Sequence, residues 1–262
     1  MDQPFLGRAS GSAPETLSDS RSGATSSSLS IVIPAYNESQ RLPATLKRIM
    51  EWIRASNRDY TEVIVVDDGS TDGTADVVRT FQRSYPCVRT LSNPGNRGKG
   101  YAVRHGMLEA RSDWILYTDA DLSTPIEDFQ KLCEAATTRG AEVAIGSRAL
   151  DRSLVSVHQP LLREYSGRFF NLVMRTATGL EFRDTQCGFK LYSKEAAQKI
   201  FTRQKLDGFS FDVEDLFIAQ KLGIKTVEVP VRWRNVEGTK VSLGGGLRSF
   251  GELLKIRSLH SG

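Results

Sequence analysis

The sequence predicts an α/β protein: a Rossmann-like, mostly parallel central sheet with helices on both faces. Three observations predict it. Short, continuously apolar runs such as "IVIPA" and "EVIVV" have the character of strands buried on both faces. Each is followed by a segment with helical apolar spacing. The alternation then repeats along the chain, giving βαβ units whose right-handed crossovers place helices on either side of the sheet. A chain of 262 residues, 39% hydrophobic and 25% charged, fits one such domain with attached tails.

Residues 1–28, including "SDSRSGATSSS", are rich in Ser, Gly and Pro without a hydrophobic period, and are expected to form a disordered tail. The character changes at Leu29, where "LSIVIPA" opens a domain expected to span 29–243. A helix follows over about 41–55, with Leu42, Leu46, Ile49, Met50 and Ile53 on one face. "EVIVVDDGS" is a second buried strand, followed by a helix carrying Ala75, Val78 and Phe81. "VRTLSN" and a Gly-rich loop lead to a helix over about 100–110, and "WILYTDAD" leads to one over about 126–138. "EVAIGSR" reads as a strand ending at Arg148, and "REYSGRFFNLVMRTATG" as a helix with Phe169, Phe170, Val173 and Met174 on one side. "CGFKLYS", a helix over about 212–222 and "KTVEVPVRWR" complete the sheet. In the final segment, 244–262, "LRSFGELLKIRSL" sets Leu247, Phe250 and Leu254 on one face with Leu253 alongside, and Arg248, Lys255 and Arg257 available to headgroups. That pattern suits a helix lying on a membrane surface or one packed on the domain.

Composition narrows the function. The net charge of +4 is too mild to imply nucleic acid as the main partner. Cys87, Cys133 and Cys187 are widely spaced without a C-x-x-C, which argues against a disulfide framework and a zinc site and fits a reducing compartment. His105, His158 and His260 are scattered and suggest no histidine-based catalysis. No stretch approaches the roughly 20 apolar residues of a membrane span, and no apolar signal core is found, so the chain is expected neither to cross a membrane nor to be exported by that route.

Three strands end in polar clusters: "PAYNES", "VDDGSTDGT" and "TDADLS". In a parallel sheet these ends share one edge, where ligands of such folds bind. Glu38, Asp67, Asp68, Asp119 and Asp121 are thereby expected to converge. Like charges gathered there need compensation. Asp121, with or without Asp119, therefore points to Mg2+ or Mn2+ and, through it, a diphosphate. Asp67 or Asp68 suits a base N–H or a ribose hydroxyl, although Asp68 and Asp72 equally suit the turns of a D-G-S-T-D-G loop. "NPGNRGKG" matches neither a dinucleotide fingerprint nor a P-loop. Lys99, at a helix N-terminus, is placed to meet a phosphate, to neutralise the acidic edge, or simply to be solvated.

"IVIPAYNE", "VVDDGSTDGT", "NRGKGYAVRHG" and "TDADLSTP", in this order, resemble the inverting GT-A glycosyltransferases of family 2. "DTQCGFKLYSKEAA", "FSFDVEDLFIAQKLG" and "EVPVRWRNVEGTKVS" are similar more narrowly to the dolichyl-phosphate β-glucosyltransferase branch, and the likeness covers roughly residues 29–257. The resemblance implies a GT-A fold and transfer of glucose from UDP-glucose to a polyprenyl phosphate; with no apolar span in the sequence, the protein is expected to be cytoplasmic and peripheral to the cytoplasmic face of a membrane. It implies that Pro34, Tyr36, Glu38 and Asp68, with Asp67 beside them, line the nucleotide pocket. Asp119, Ala120 and Asp121 match the D-x-D that holds metal and diphosphate, Ala120 being small enough for close approach of the donor, and Ser123 matches a position that completes the metal shell in relatives. Arg148, Arg234 and Lys240 match basic positions facing the diphosphate or the acceptor phosphate. Asp212, with Glu214 second, matches the region of a catalytic base; it is expected here to be a positioning residue or a vestigial base, because a phosphate acceptor is already anionic. Alternatives are a family 2 enzyme using GDP-mannose or a soluble acceptor, and a noncatalytic nucleotide-sugar-binding module. Family members usually carry a membrane segment; here "LRSFGELLKIRSL" is the candidate for lipid contact.

Overall fold

The computed structural model describes residues 28–56, 58, 60–157, 174–176, 178–236 and 243–261. The expected tail, Phe169, Phe170, Val173, Lys240 and the side chains of Leu247, Arg248 and Phe250 lie outside what is described.

A seven-stranded sheet forms the centre. Its strands are β1 (Leu29–Ala35), β2 (Thr61–Asp67), β3 (Val88–Ser92), β4 (Trp114–Thr118), β5 (Val143–Ser147), β7 (Phe189–Ser193) and β8 (Thr226–Pro230), in the order β3-β2-β1-β4-β7-β5-β8. All neighbours are parallel except β7, which runs antiparallel to both β4 and β5. Alternate residues of each strand feed two apolar cores, as the period of two requires. Ile31 and Ile33 face one core with α1 (Leu42–Ala55), α2 (Thr74–Ser84) and α4 (Phe129–Arg139). Val32 faces the other, with α3 (Lys99–Glu109), α5 (Lys194–Phe201) and α6 (Phe211–Lys221).

The last expected strand divides. Pro230 closes β8, and the N–H and guanidinium of Arg232 are captured by buried Asp128 at 2.6–2.8 Å. The chain then bends away, and β9 (Trp233–Arg234) pairs instead with β6 (Val155–Val157) in a separate two-stranded ribbon. The terminal helix α7 (Leu243–Leu259) packs on α6: Leu253 and Ile256 are buried in the second core, each worth about 1.5–3 kcal/mol of apolar transfer, while Leu254 is 69% exposed. Among the described residues, no helix is long and apolar enough to cross a membrane. The three cysteines are free, as expected; burial pushes the Cys187 thiol up to about 12.

Candidate active site

The carboxyl ends of β1, β2 and β4 form one acidic edge, joined by hydrogen bonds between their loops. Asn37, at φ 55°, accepts the Thr71 N–H at 2.8 Å, and its own N–H donates to Ser70 at 2.9 Å. The Glu38 N–H donates to Thr74 at 2.8 Å, so the loop after β1 is laced to the start of α2. Pro34 is half-buried beside Val66 and Tyr36 is exposed, both along this edge.

The acids the sequence gathers here have different partners. Glu38 is buried and held by the Arg41 guanidinium at 2.6 and 2.7 Å. Asp67 caps the Ser70 N–H at 3.0 Å. Asp68 receives Asn93 Nδ2 at 2.7 Å, the Gly98 N–H at 2.8 Å and the Arg97 N–H at 3.1 Å, binding the Gly-rich loop to the end of β2. Gly69, at φ 76°, permits this contact: a Cβ there would lie 2.4 Å from the Gly95 backbone. The carboxylate of Asp68 thus fixes one wall of the cleft.

At the end of β4, Asp119 Oδ1 accepts both the Tyr117 hydroxyl at 3.0 Å and the Lys99 ammonium at 2.8 Å. Burial alone would lower the Lys99 pKa, but Asp119 and then Asp212 outweigh it and leave the amine above its usual range. Burial and Asp119 likewise raise Tyr117, which stays a donor. Asp121 Oδ1 accepts the Ser123 N–H at 2.9 Å, and among the described residues Asp121 has no ion pair. The Ala120 side chain packs in the first core and its carbonyl accepts Thr45 Oγ1 at 2.6 Å.

No three His, Cys, Asp or Glu side chains cluster to hold a metal ion among the described residues. The fit is nevertheless good for Mg2+ or Mn2+: Asp119, Asp121 and the Ser123 hydroxyl are hard oxygen donors, and such ions commonly take one or two carboxylates with substrate phosphate completing the shell.

Of the basic residues expected at the site, Arg148 forms a fork with buried Asp184, at 2.6 and 2.8 Å, and stacks over Trp233. Burial would raise the Asp184 pKa, but Arg148 reverses this and holds it below the usual range. Arg234 is exposed, and its N–H donates to the Ser123 carbonyl at 3.0 Å, beside the D-x-D loop. Asp212 is buried in the first turn of α6 and paired at 2.7 Å with Lys190, a wholly buried lysine on β7. Burial raises Asp212, against the pull of Lys190 and Lys99. The structure does not bring Glu214 to Asp119 and Lys99: it is fully buried, accepting the Lys205 and Leu206 N–H groups at 2.9 and 2.8 Å and His260 Nε2 at 2.6 Å. It fastens the end of the chain, and His260 is its partner.

Sequence reasoning missed Lys190, Tyr192, Asp215, Asp184 and Gly188. Tyr192 donates to Asp215, and burial pushes Asp215 up to about 7. A signal was present: Lys190 and Tyr192 share one face of "FKLYS", and Asp212 and Asp215 lie three apart on one face of α6.

The family model described as glycosyl transferase family 2 matches residues 30–201. A dolichyl-phosphate beta-glucosyltransferase of Trichomonas vaginalis is 36% identical over 241 residues, covering 88% of this chain and 73% of that protein. The Drosophila melanogaster protein of the same name is 38% identical, covering 82% and 69%, and the Homo sapiens one is 36% identical, covering 87% and 74%. Among solved structures, glucosyl-3-phosphoglycerate synthase from Mycobacterium tuberculosis, in complex with Mn2+, UDP-glucose and glycerol 3-phosphate, superposes with a TM-score of 0.62 at 18% identity, covering 90% of this chain and 80% of that one. Mannosyl-3-phosphoglycerate synthase from Rubrobacter xylanophilus gives 0.65 at 20% identity, covering 90% and 75%; both likenesses speak to the fold. The correspondence reaches well beyond the acidic edge to most of the chain, which is a glycosyltransferase of GT-A fold and belongs to glycosyl transferase family 2.

Proposed function

We propose that the protein transfers glucose from UDP-glucose to a dolichyl-type polyprenyl phosphate, with inversion, as a peripheral protein on the cytoplasmic face of a membrane. The observation that carries this reading is the charge arrangement at the end of β4: Asp119 is neutralised by Lys99 while Asp121 stands without an ion pair among the described residues. The reading is supported by relatives named dolichyl-phosphate beta-glucosyltransferase and by a fold neighbour crystallised with Mn2+ and UDP-glucose.

Asp119 and Asp121, with Ser123, would hold Mg2+ or Mn2+, which supplies neutralisation of the charge that grows on the leaving diphosphate. Pro34, Tyr36 and Asp67 flank the nucleotide along the edge of β1 and β2. Lys99 keeps its ammonium against the D-x-D, where it would also meet a phosphate of donor or acceptor. The acceptor oxygen attacks the anomeric carbon on the face opposite UDP, forming the new C–O bond as the old one breaks. With a phosphate acceptor already anionic at neutral pH, no base is required. Asp212 accordingly serves as a counter-ion, its Oδ1 being occupied by Lys190. Exposed Leu254 between buried Leu253 and exposed Lys255, with Arg257 exposed nearby, supports lipid contact by α7.

The test is transfer of label from UDP-glucose or GDP-mannose to a short polyprenyl phosphate or to 3-phosphoglycerate, with and without EDTA. The expected result is glucose label in the lipid phase from UDP-glucose, abolished by EDTA, restored by Mn2+, and reduced about 100-fold or more by Asp121→Ala. Label entering only the soluble acceptor would overturn the lipid assignment, mannose label the donor assignment, and indifference to EDTA the metal.

A further inference from the structure

Arg148 follows the end of β5, and its guanidinium is gripped along one edge. Nε donates to Asp184 Oδ2 at 2.6 Å and Nη2 to Asp184 Oδ1 at 2.8 Å, while the Arg148 N–H reaches Oδ2 at 3.0 Å. The Trp233 ring lies against the same group, its centroid 5.5 Å from Cζ. Asp184 is itself fixed: its N–H and that of Arg183 donate to the Glu228 carboxylate at 2.8–3.1 Å, and the Gln186 N–H donates to Asp184 Oδ1 at 3.3 Å. A guanidinium carries five N–H donors, and the fork takes two of them. Among the described residues the other three, on Nη1 and the far side of Nη2, meet no acceptor, and the Arg148 side chain is 31% exposed where that of Asp184 is 8% exposed. One edge is thus occupied by a buried carboxylate, and a second edge, equally suited to two oxygens of one anion, remains for the open side.

The sheet sets that edge beside the D-x-D. β7 pairs with β4 on one side and with β5 on the other, and continuing the two registers past Thr118↔Phe189 and Ile145↔Lys190 puts Asp119, Gly188 and Ser147 in one row. The bond from the Asp119 N–H to the Gly188 carbonyl, at 3.1 Å, is the first step of that row. Arg148 stands one residue beyond it, two strand spacings from Asp119, or roughly 10 Å. The elements that flank the nucleotide, β1 and β2, lie on the other side of β4. In an inverting displacement the entering and leaving groups occupy opposite faces of the anomeric carbon, so a diphosphate held toward β1, β2 and the D-x-D leaves the β7–β5 side for the acceptor. Burying Asp184 carries a desolvation cost that an apolar residue avoids, and what its pairing adds is direction. On an edge that carries Asp119 and Asp121, a guanidinium without such a partner is drawn to those carboxylates.

We infer that Asp184 is a positioning residue for the acceptor: it holds Arg148 by one edge so that the other edge receives the oxygens of a phosphate monoester. This inference rests on the reaction proposed above and names the part of the acceptor that is recognised, the terminal phosphate, whether a polyprenyl chain or a small soluble molecule carries it. Asp184 acts through Arg148 and does not touch the acceptor. Its loss weakens acceptor binding and leaves the donor's contacts along β1 and β2 in place, so the effect falls on one KM and not on the other.

The experiment compares the full chain with Asp184→Asn, Arg148→Ala and the double variant, measuring glucose transfer from UDP-glucose to short dolichyl phosphate and to 3-phosphoglycerate, with donor and acceptor KM determined separately alongside thermal unfolding. Asp184→Asn keeps the shape of the side chain but sets an amide donor against the guanidinium. It is expected to raise the acceptor KM about tenfold with the donor KM within about twofold, and to add nothing to Arg148→Ala, since the two residues act as a unit. A folded Asp184→Asn protein with an acceptor KM within about twofold of wild type, donor and acceptor KM that rise together, or losses that multiply in the double variant overturn the inference. If Asp184→Asn does not fold, Arg148→Lys carries the test: a lysine places its single charged tip on Asp184 and has no second edge, so an acceptor KM raised about tenfold at unchanged donor KM supports the inference, and an unchanged acceptor KM overturns it. Label entering only 3-phosphoglycerate, with its KM raised in Asp184→Asn, overturns the lipid acceptor and supports the role of Asp184; label entering neither acceptor overturns the proposed reaction and this inference with it.

Discussion

Gly188, at the entrance to β7, lies against the D-x-D so closely that its missing side chain has functional weight. A Cβ at this position would sit 2.1 Å from Asp119 Oδ2 and 2.4 Å from its Cγ. The Asp119 backbone cannot retreat, because its N–H donates to the Gly188 carbonyl at 3.1 Å. In Gly188→Ala the carboxylate must therefore move, and reaching the 3.4 Å of ordinary contact takes about 1.3 Å. That displacement pulls Oδ1 from the Tyr117 hydroxyl and Lys99 and shifts any ligand Asp119 holds. A misplacement of about 1 Å typically costs on the order of 100-fold in rate, while the overpacking costs about 1–3 kcal/mol of stability. The assay is kcat for glucose transfer at saturating donor, together with the Mn2+ concentration giving half-maximal rate and the unfolding temperature. The expectation is a folded protein with kcat reduced about 100-fold and a higher Mn2+ requirement. Activity within about threefold of wild type at unchanged Mn2+ requirement would refute the reasoning, since it would mean that Asp119 moves without consequence.

Glu214→Ala should strip acceptors from two partly buried N–H groups and from His260, costing about 3 kcal/mol and roughly 6–12 °C in Tm, with kcat of the folded fraction unchanged; a lowered kcat at full folding would place Glu214 in the reaction. Asp72 provides a pH prediction. Its slight burial raises the carboxyl, but hydrogen bonds from Thr74 and Ser39 outweigh this and bring it to about 2. The folded pKa lies below the unfolded value of about 3.9, so its contribution is present above about pH 4 and is lost as pH falls through about 2. Asp72→Asn should flatten the dependence of Tm on pH within that window, and an unaltered acid limb would count against the loop lacing described here.

The sheet was legible because burial on two faces writes continuous apolar runs, and β1, β2, β4 and β5 are such runs. Direction was not, because an apolar run reads the same forwards and backwards; the antiparallel β7 needed coordinates. Among site residues, Asp119 and Asp121 could be read from their place after a buried strand. Partner choice could not: Arg148 and Asp184 are 36 residues apart, and Glu214 has the same local signature as an acid facing a cleft. Lys190 and Tyr192 share a strand face, but the carboxylates they meet lie 22 and 23 residues further on, in α6, and that pairing leaves no local mark.

The clamp formed by Asp68 has one more consequence. With its carboxylate holding the Gly-rich loop through three donors, and Gly69 letting the two loops touch, one side of the cleft is assembled within the protein itself. A surface ordered in advance loses little conformational entropy when a partner settles on it. A ligand held along this edge would therefore meet a rigid template that discriminates by shape, and any adaptive closure would have to come from elsewhere.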